Sequence, residues 1–265
     1  MKFYKDLKIM SIAELKRFFR WKERFLWEIL GSLIGFMSFI LVWRAVLMGG
    51  FQGLGGLTRN NYITFLLSGS LLWAVINVNF RMSGAFVREK HQRTLPNLMI
   101  SPVNKLSYLF GKLSVGLARV LIRDIAIVIV AATFFSFSIE GNPLLILLIF
   151  VITFIGFSGI GIIVASLSAW REGFQEASMV IQQMLYLVSG VHYPIEVFPE
   201  NIRNVVLWFP TTQAINAVRA VGLRGAGVSD ISFTLGYVSI FSIVSIILGY
   251  FTFKWAKDKA MLIGI

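Results

Sequence analysis

Of the 265 residues, 57% are hydrophobic and 14% are charged, and the mean hydropathy is +0.76. A soluble domain carries roughly 25% charged residues, so a soluble globular fold is excluded, and the net charge of +12 does not point to nucleic acid. Cysteine is absent, which removes disulfides, thiolate metal sites and thiol nucleophiles, and only His91 and His192 supply imidazole.

The first 24 residues are polar and basic. They lack the short apolar core and small-residue cleavage site of a secretory signal, so no cleaved leader is expected. An interfacial helix is expected over 9–22. At the helical period Ile12, Leu15, Phe18 and Phe19 share one arc, and Glu14, Lys16, Arg17 and Arg20 lie opposite. It would be a membrane-surface anchor, or an elbow that also touches a cytosolic partner.

A membrane crossing needs about 20 mostly apolar residues. Six such runs follow, at about 25–47, 62–80, 122–139, 144–169, 174–191 and 235–254. They are continuous rather than alternating, so each is expected to be a helix and not a barrel strand. The chain is therefore expected to be an all-α integral membrane protein, one transmembrane domain over 1–265. Trp43, Tyr62, Trp170, Trp208, Tyr237 and Trp255 fall near the ends of the runs and suit interfacial anchoring, while Trp73, Phe80 and Tyr186 are expected to face inward.

Lysine and arginine set the orientation. With the N-terminus inside, cytosolic segments hold eight (1–24), six (81–112), one (Arg171) and three (254–265), and external segments hold four: Arg59, Arg203, Arg219 and Arg224. Both termini are thus expected in the cytosol, in the plasma or bacterial inner membrane. The external segment 192–232 is too apolar for a plain loop. Its prolines, Pro194, Pro199 and Pro210, bracket apolar runs at 202–208 and 214–223 that are too short to cross. Two short re-entrant helices are expected there, with Thr211 and Thr212 as caps.

No chemistry of the chain's own emerges. The glycine-rich stretch 49–56 lacks the Lys-Ser/Thr ending of a phosphate loop, and Gly111-Lys112 has Leu106 where such a loop needs glycine. No metal-ligand spacing and no nucleophile–base set is present, so neither a catalytic residue nor a bound cofactor or metal is expected. Charges within or beside spans are functional candidates by default. Glu28 and Arg44 lie near the ends of the first span, and Arg119, Arg123 and Asp124 at the start of the third. Asp124 would serve an ion-coupled carrier. Alternatively, Arg119 and Arg123 snorkel to the inner headgroups and Asp124 pairs with a neighbouring cation. Arg81, Arg119 and Arg123 would meet an anionic headgroup, or merely obey the positive-inside rule.

The basic segment 81–112 contains Glu89-Lys90-His91-Gln92-Arg93-Thr94-Leu95, then Leu98, Ser101-Pro102 and Gly111-Lys112. This resembles the cytosolic loop after the second span in permeases of type-2 ATP-binding-cassette (ABC) exporters. Their usual form is a charged cluster, Gly-Thr-Leu, a further leucine, a proline and a Gly-Lys. Arg93 stands where that family often has glycine, and Pro96 is extra. Further on, Ser189 to Pro194, Phe198-Pro199-Glu200, Phe209-Pro210-Thr211 and Ala217-Val218-Arg219 are similar to the family's fifth-span exit and external helices, with Tyr193, Pro194, Pro199 and Pro210 as its markers. Trp170-Arg171-Glu172 resembles the turn of its polysaccharide-exporting members.

The resemblance implies a permease pair, a homodimer by expectation, on two copies of a separate ATPase chain that would hold ATP and Mg. The segment 81–112 would carry a coupling helix. Arg88, Glu89, Lys90 and Arg93 would form rim ion pairs with the ATPase, Thr94, Leu95, Leu98 and Pro102 would supply apolar or capping contacts, and Arg171 and Glu172 would form a second cytosolic loop. The cargo would be amphipathic or lipid-linked: a glycan, a lipid or a drug. A secondary carrier or a non-transporting scaffold is the alternative.

Overall fold

The computed structural model describes residues 2–20, 22–48, 61–135, 139–171 and 173–262. These are all-helical. The order is α1 (Lys2–Arg20), α2 (Lys22–Met48), α3 (Tyr62–Phe80), a 3-10 turn (Arg81–Ser83), α4 (Gly84–His91), α5 (Leu95–Ile100), α6 (Lys105–Phe134), α7 (Pro143–Trp170), α8 (Gly173–Val188), a second 3-10 turn (Ile195–Val197), α9 (Glu200–Val206), α10 (Pro210–Arg224) and α11 (Val228–Leu262). Two long helices start on asparagine caps. Asn104 Oδ1 accepts the Leu106 N–H, and Asn142 Oδ1 accepts that of Leu144, with Pro143 in the first turn of α7.

Among the described residues, four helical runs are long and apolar enough to cross a membrane: Glu23–Val42, Tyr62–His91, Pro143–Trp170 and Val228–Ala256. Those numbered α6 and α8 fall outside that criterion. In α6 the apolar half carries Arg119, Arg123 and Asp124, and α8 has 16 residues. The expected boundaries also move. The third helix begins at Lys105 rather than 122, because Leu106 to Val115 already packs inward, and it ends at Phe134, capped by Phe135, rather than at 139. The sixth extends from Val228 to Leu262 rather than over 235–254. Most of segment 81–112 is helical, since α4 follows directly on α3 and its 3-10 turn, α5 spans Leu95–Ile100 and α6 starts at Lys105.

At the centre stands α3, buried along most of its length against α7, α10 and α6. Leu72 and Ile76 are fully enclosed, and Trp73 and Phe80 also face inward. The long α7–α11 contact is made by small residues. Ser245 Oγ donates to the Gly156 carbonyl at 2.6 Å, and Ser242 Oγ to that of Ile152 at 3.1 Å. A Cβ on Gly159 would lie 2.3 Å from the Ser245 carbonyl carbon. Close backbone approach of this kind replaces the hydrophobic drive that lipid removes.

In the proline-bracketed segment after His192 the helices α9 and α10 form, and α10 packs against α3, α11 and α7. Pro210 begins α10, whose cap is Phe209; Thr211 and Thr212 are buried instead of capping. Thr211 Oγ1 pairs with Ser189 Oγ at 2.6 Å. Near the middle of α10, Arg219 is 7% exposed, with its guanidinium 3.5 Å from the Phe65 ring centroid and donating to the Val191 carbonyl at 2.8 Å. Counted by sequence as an external positive charge, Arg219 is in fact a buried tie between α3 and α10.

Packing makes opposite predictions for two glycines. Gly159→Ala should force α7 from α11, cost about 1–3 kcal/mol and lower the thermal midpoint in detergent. Gly31→Ala, whose Cβ would meet nothing within 4 Å, should be neutral or raise it, since alanine is the better helix former by about 1 kcal/mol.

Candidate functional site

The sequence draws attention to the element after α3, and the fold makes it a helical hairpin. The end of α4 is set by backbone geometry. Arg93 has φ +57°, in the left-handed region that glycine favours. The Thr94 N–H then reaches back to the Glu89 carbonyl at 2.9 Å, and the Arg93 N–H to that of Lys90 at 3.0 Å. This double bond pattern is the Schellman stop. The position where the resembling family often has glycine is therefore the one that needs left-handed backbone, and here an arginine bears the strain. Pro96 sits in the first turn of α5, where its missing N–H costs nothing.

Glu89 does not face outward as expected. Its side chain is 13% exposed and is taken up inside the protein. Oε1 accepts from the Tyr108 hydroxyl at 2.7 Å and from Lys112 Nζ at 3.2 Å, and Oε2 accepts from Thr94 Oγ1 at 2.5 Å. Lys112 also approaches Glu14 of α1 at 3.9 Å and lies over the Tyr108 ring at 4.5 Å. Burial pulls the Lys112 ammonium below its ordinary range and pushes the Tyr108 hydroxyl up. The carboxylate thus joins α4, the turn and α6, and reaches α1 through Lys112. Thr94 belongs to this knot as well. Tyr108 and Lys112 were missed as site residues by the sequence argument; their spacing of four, one face of a helix, was the available signal.

Exposed groups remain at the hairpin's tip: Arg88, Lys90, Arg93 and Pro102, with Leu98 half-buried and the side chain of Leu95 outside the described residues. Ile100, not singled out by sequence, is 83% exposed. The start of α6 rests on α1, which begins at Lys2 rather than 9. Asp6 Oδ2 accepts the Asn104 N–H at 3.0 Å, and the Phe3 carbonyl accepts from Ser107 Oγ at 3.1 Å. Only part of the expected membrane face of α1 is free. Ile12, Leu15 and Phe19 are exposed, but Phe18 is buried beneath the Arg119 guanidinium at 4.7 Å.

The three candidate headgroup arginines go to different partners. Arg81 approaches Glu28 at 3.8 Å, Arg119 covers Phe18, and Arg123 is paired with Asp124 at 2.8 Å. Arg123 is thus occupied by its neighbour rather than offered to a headgroup. In the turn between α7 and α8, Arg171 lies over the Trp170 ring at 4.7 Å, and Trp170 meets Trp255 edge-on at 5.2 Å; Glu172 and the side chains of Trp43 and Arg44 lie outside the described residues. At the other end, Pro194 is buried, Tyr193 and Pro210 are half-buried, and Pro199 is exposed as the cap of α9. No group of three or more metal-ligating side chains occurs among the described residues.

The sequence pattern of the family described as "ABC-2 type transporter" matches residues 5–223. The chain belongs to that family. It is 24% identical over 144 residues to the "inner membrane transport permease YhhJ" of Escherichia coli K12, covering 54% of this chain and 38% of that protein. It is 28% identical over 178 residues to "ABC transporter G family member 20" of Dictyostelium discoideum, covering 65% of this chain and 24% of the relative. It therefore spans well under half the length of these relatives. The ABC-2 match begins within α1 and ends within α10, so Glu14, Glu89, Tyr108 and Lys112 all fall inside it.

Arg93→Gly should relieve the left-handed strain and raise the thermal midpoint by roughly 2–4 °C, equivalent to about 1 kcal/mol; an unchanged or lower midpoint would contradict the Schellman stop. In a double-mutant cycle, Glu89→Gln and Lys112→Met should couple by about 1–2 kcal/mol, and additive losses would mean the knot carries no net energy.

Proposed function

We propose that the chain is the transmembrane subunit of an ATP-driven exporter, and that energy reaches it through the α4–α5 hairpin. The observation that carries this is the combination of ABC-2 membership with a hairpin that is charged outside and tied down inside. Arg88, Lys90 and Arg93 give a basic tip with Ile100 beside it, suited to a groove with an acidic rim and an apolar floor. Such a groove would belong to a separate ATPase, which would bind ATP and Mg. Two permease copies and two ATPase chains would make the working assembly.

In this account α2, α3, α6, α7, α8 and α11 are six spans with both termini in the cytosol of a plasma or inner membrane. The lysine and arginine asymmetry supports that topology. The short α8 and the charged α6 would cross shielded by neighbours and by the second copy. The cargo is amphipathic or lipid-linked, in the glycan, lipid or drug classes. An ion-coupled carrier built on Asp124 has less support, because Arg123 already balances that carboxylate.

Co-expression with the ATPase of a neighbouring gene tests the proposal. Arg88→Glu combined with Lys90→Glu should reduce copurification at least tenfold, and Lys112→Met should preserve the complex but weaken cargo-stimulated ATP hydrolysis. Normal copurification of the charge-reversed chain would overturn the assignment of the hairpin.

A further inference from the structure

A cavity of about 340 Å³ lies between α2, α3, α6 and α8, at the small end of ligand-sized sites. It is partly open and is lined by one copy of the chain. On its α6 wall stands Asp124, 6% exposed. Its Oδ1 is held by Arg123, Nε at 3.1 Å and the terminal nitrogen at 2.8 Å, while its Oδ2 is buried and has no hydrogen-bond partner in the described structure. Across the cavity His192 is bonded through Nε2 to the Tyr186 hydroxyl, and its Nδ1 is likewise buried without a partner. Buried polar atoms in a folded protein are nearly always satisfied. Two bare ones lining the same cavity mark a place where a polar group binds.

The remaining walls define the rest of the ligand. Phe36 and Trp73 are flat and apolar, and Gly35 on α2 leaves a notch where a Cβ would meet nothing within 4 Å. Charge decides the head. Arg123 and Asp124 sum to zero, so an ammonium or a phosphate would enter with its charge unbalanced in a poorly solvated site. A neutral donor loses nothing by this and satisfies the bare oxygen.

We propose that this cavity binds an uncharged, hydroxyl-bearing amphiphile, whose head donates a hydrogen bond to Asp124 Oδ2 and whose apolar body lies along Phe36 and Trp73 toward the Gly35 notch. The aromatic walls suit the carbon face of a sugar ring or an alkyl chain equally. The binding site stands on the cavity alone. That its ligand is the transported cargo rests on the exporter proposal, so binding and transport are measured separately.

The full chain is reconstituted in phosphatidylcholine nanodiscs and labelled with photoreactive decyl glucoside, decyl trimethylammonium and decyl sulfate. The glucoside probe should label peptides of α2 and α3 at least tenfold more than either charged probe, and unlabelled decyl glucoside should compete. Asp124→Asn should reduce labelling at least tenfold. Because that change also frees Arg123 and threatens folding, Gly35→Leu provides a second arm: it fills the notch, where its Cβ meets nothing within 4 Å, and should block labelling while the thermal midpoint holds. Equal labelling by a charged probe, absence of labelling in the parent chain, or full labelling of Gly35→Leu would each overturn the proposal. Loss of ATP-driven transport in the parent chain with labelling intact would sink the exporter reading and leave the site standing.

Discussion

The Glu89 carboxylate is the contact on which the packing of α1, α4 and the start of α6 depends. A carboxylate that is mostly out of water must find compensating donors, and this one finds three, from Thr94, Tyr108 and Lys112. Because those donors sit on the turn after α4 and on α6, and Lys112 also leans toward Glu14 of α1, satisfying one side chain fixes three helices. The tip carrying Arg88, Lys90 and Ile100 is then an extension of α3 and α6 rather than a tethered loop. Any force on the tip would reach α3 and α6 together, and α3 is buried along most of its length.

The membrane half is held by a different rule. Lipid offers no hydrophobic gain for bringing helices together, so contact there relies on close approach and on polar side chains that bond across helices. Gly156 and Gly159 on α7 against Ser242 and Ser245 on α11 supply both. Arg219 does the same between α3 and α10, where Gly69 must stay small because a Cβ would meet the Val191 carbonyl at 2.2 Å. By contrast α2 is mostly exposed and loosely joined, and the cavity lined by Asp124 lies beneath it.

Much of this was legible in the sequence, for identifiable reasons. Apolar run length located α2, α3, α7 and α11, and the proline-bracketed runs after His192 became α9 and α10. The oddity of Arg93 was visible as a missing glycine, and its φ of +57° explains why glycine would suit. What escaped depends on contacts distant in sequence. Charge pattern cannot tell that Glu89 turns inward while Arg88 and Lys90 stay out, since the partners lie 19 and 23 residues away on another helix. Nor can a positive-inside count tell a snorkelling arginine from Arg219, buried over Phe65, or from Arg123, paired with Asp124.

The central claim is mechanical: hairpin, α1 and the start of α6 move as one body. The absence of native cysteine makes it directly measurable. Spin labels on cysteines placed at Lys8 of α1 and Asn97 of α5 are compared by pulsed electron paramagnetic resonance in the nucleotide-free and ATP-trapped complex. The account predicts a narrow Lys8–Asn97 distance distribution that is the same in both states, while labels at Asn97 and Asp230 shift relative to one another. A Lys8–Asn97 distance that broadens or changes with nucleotide would contradict it.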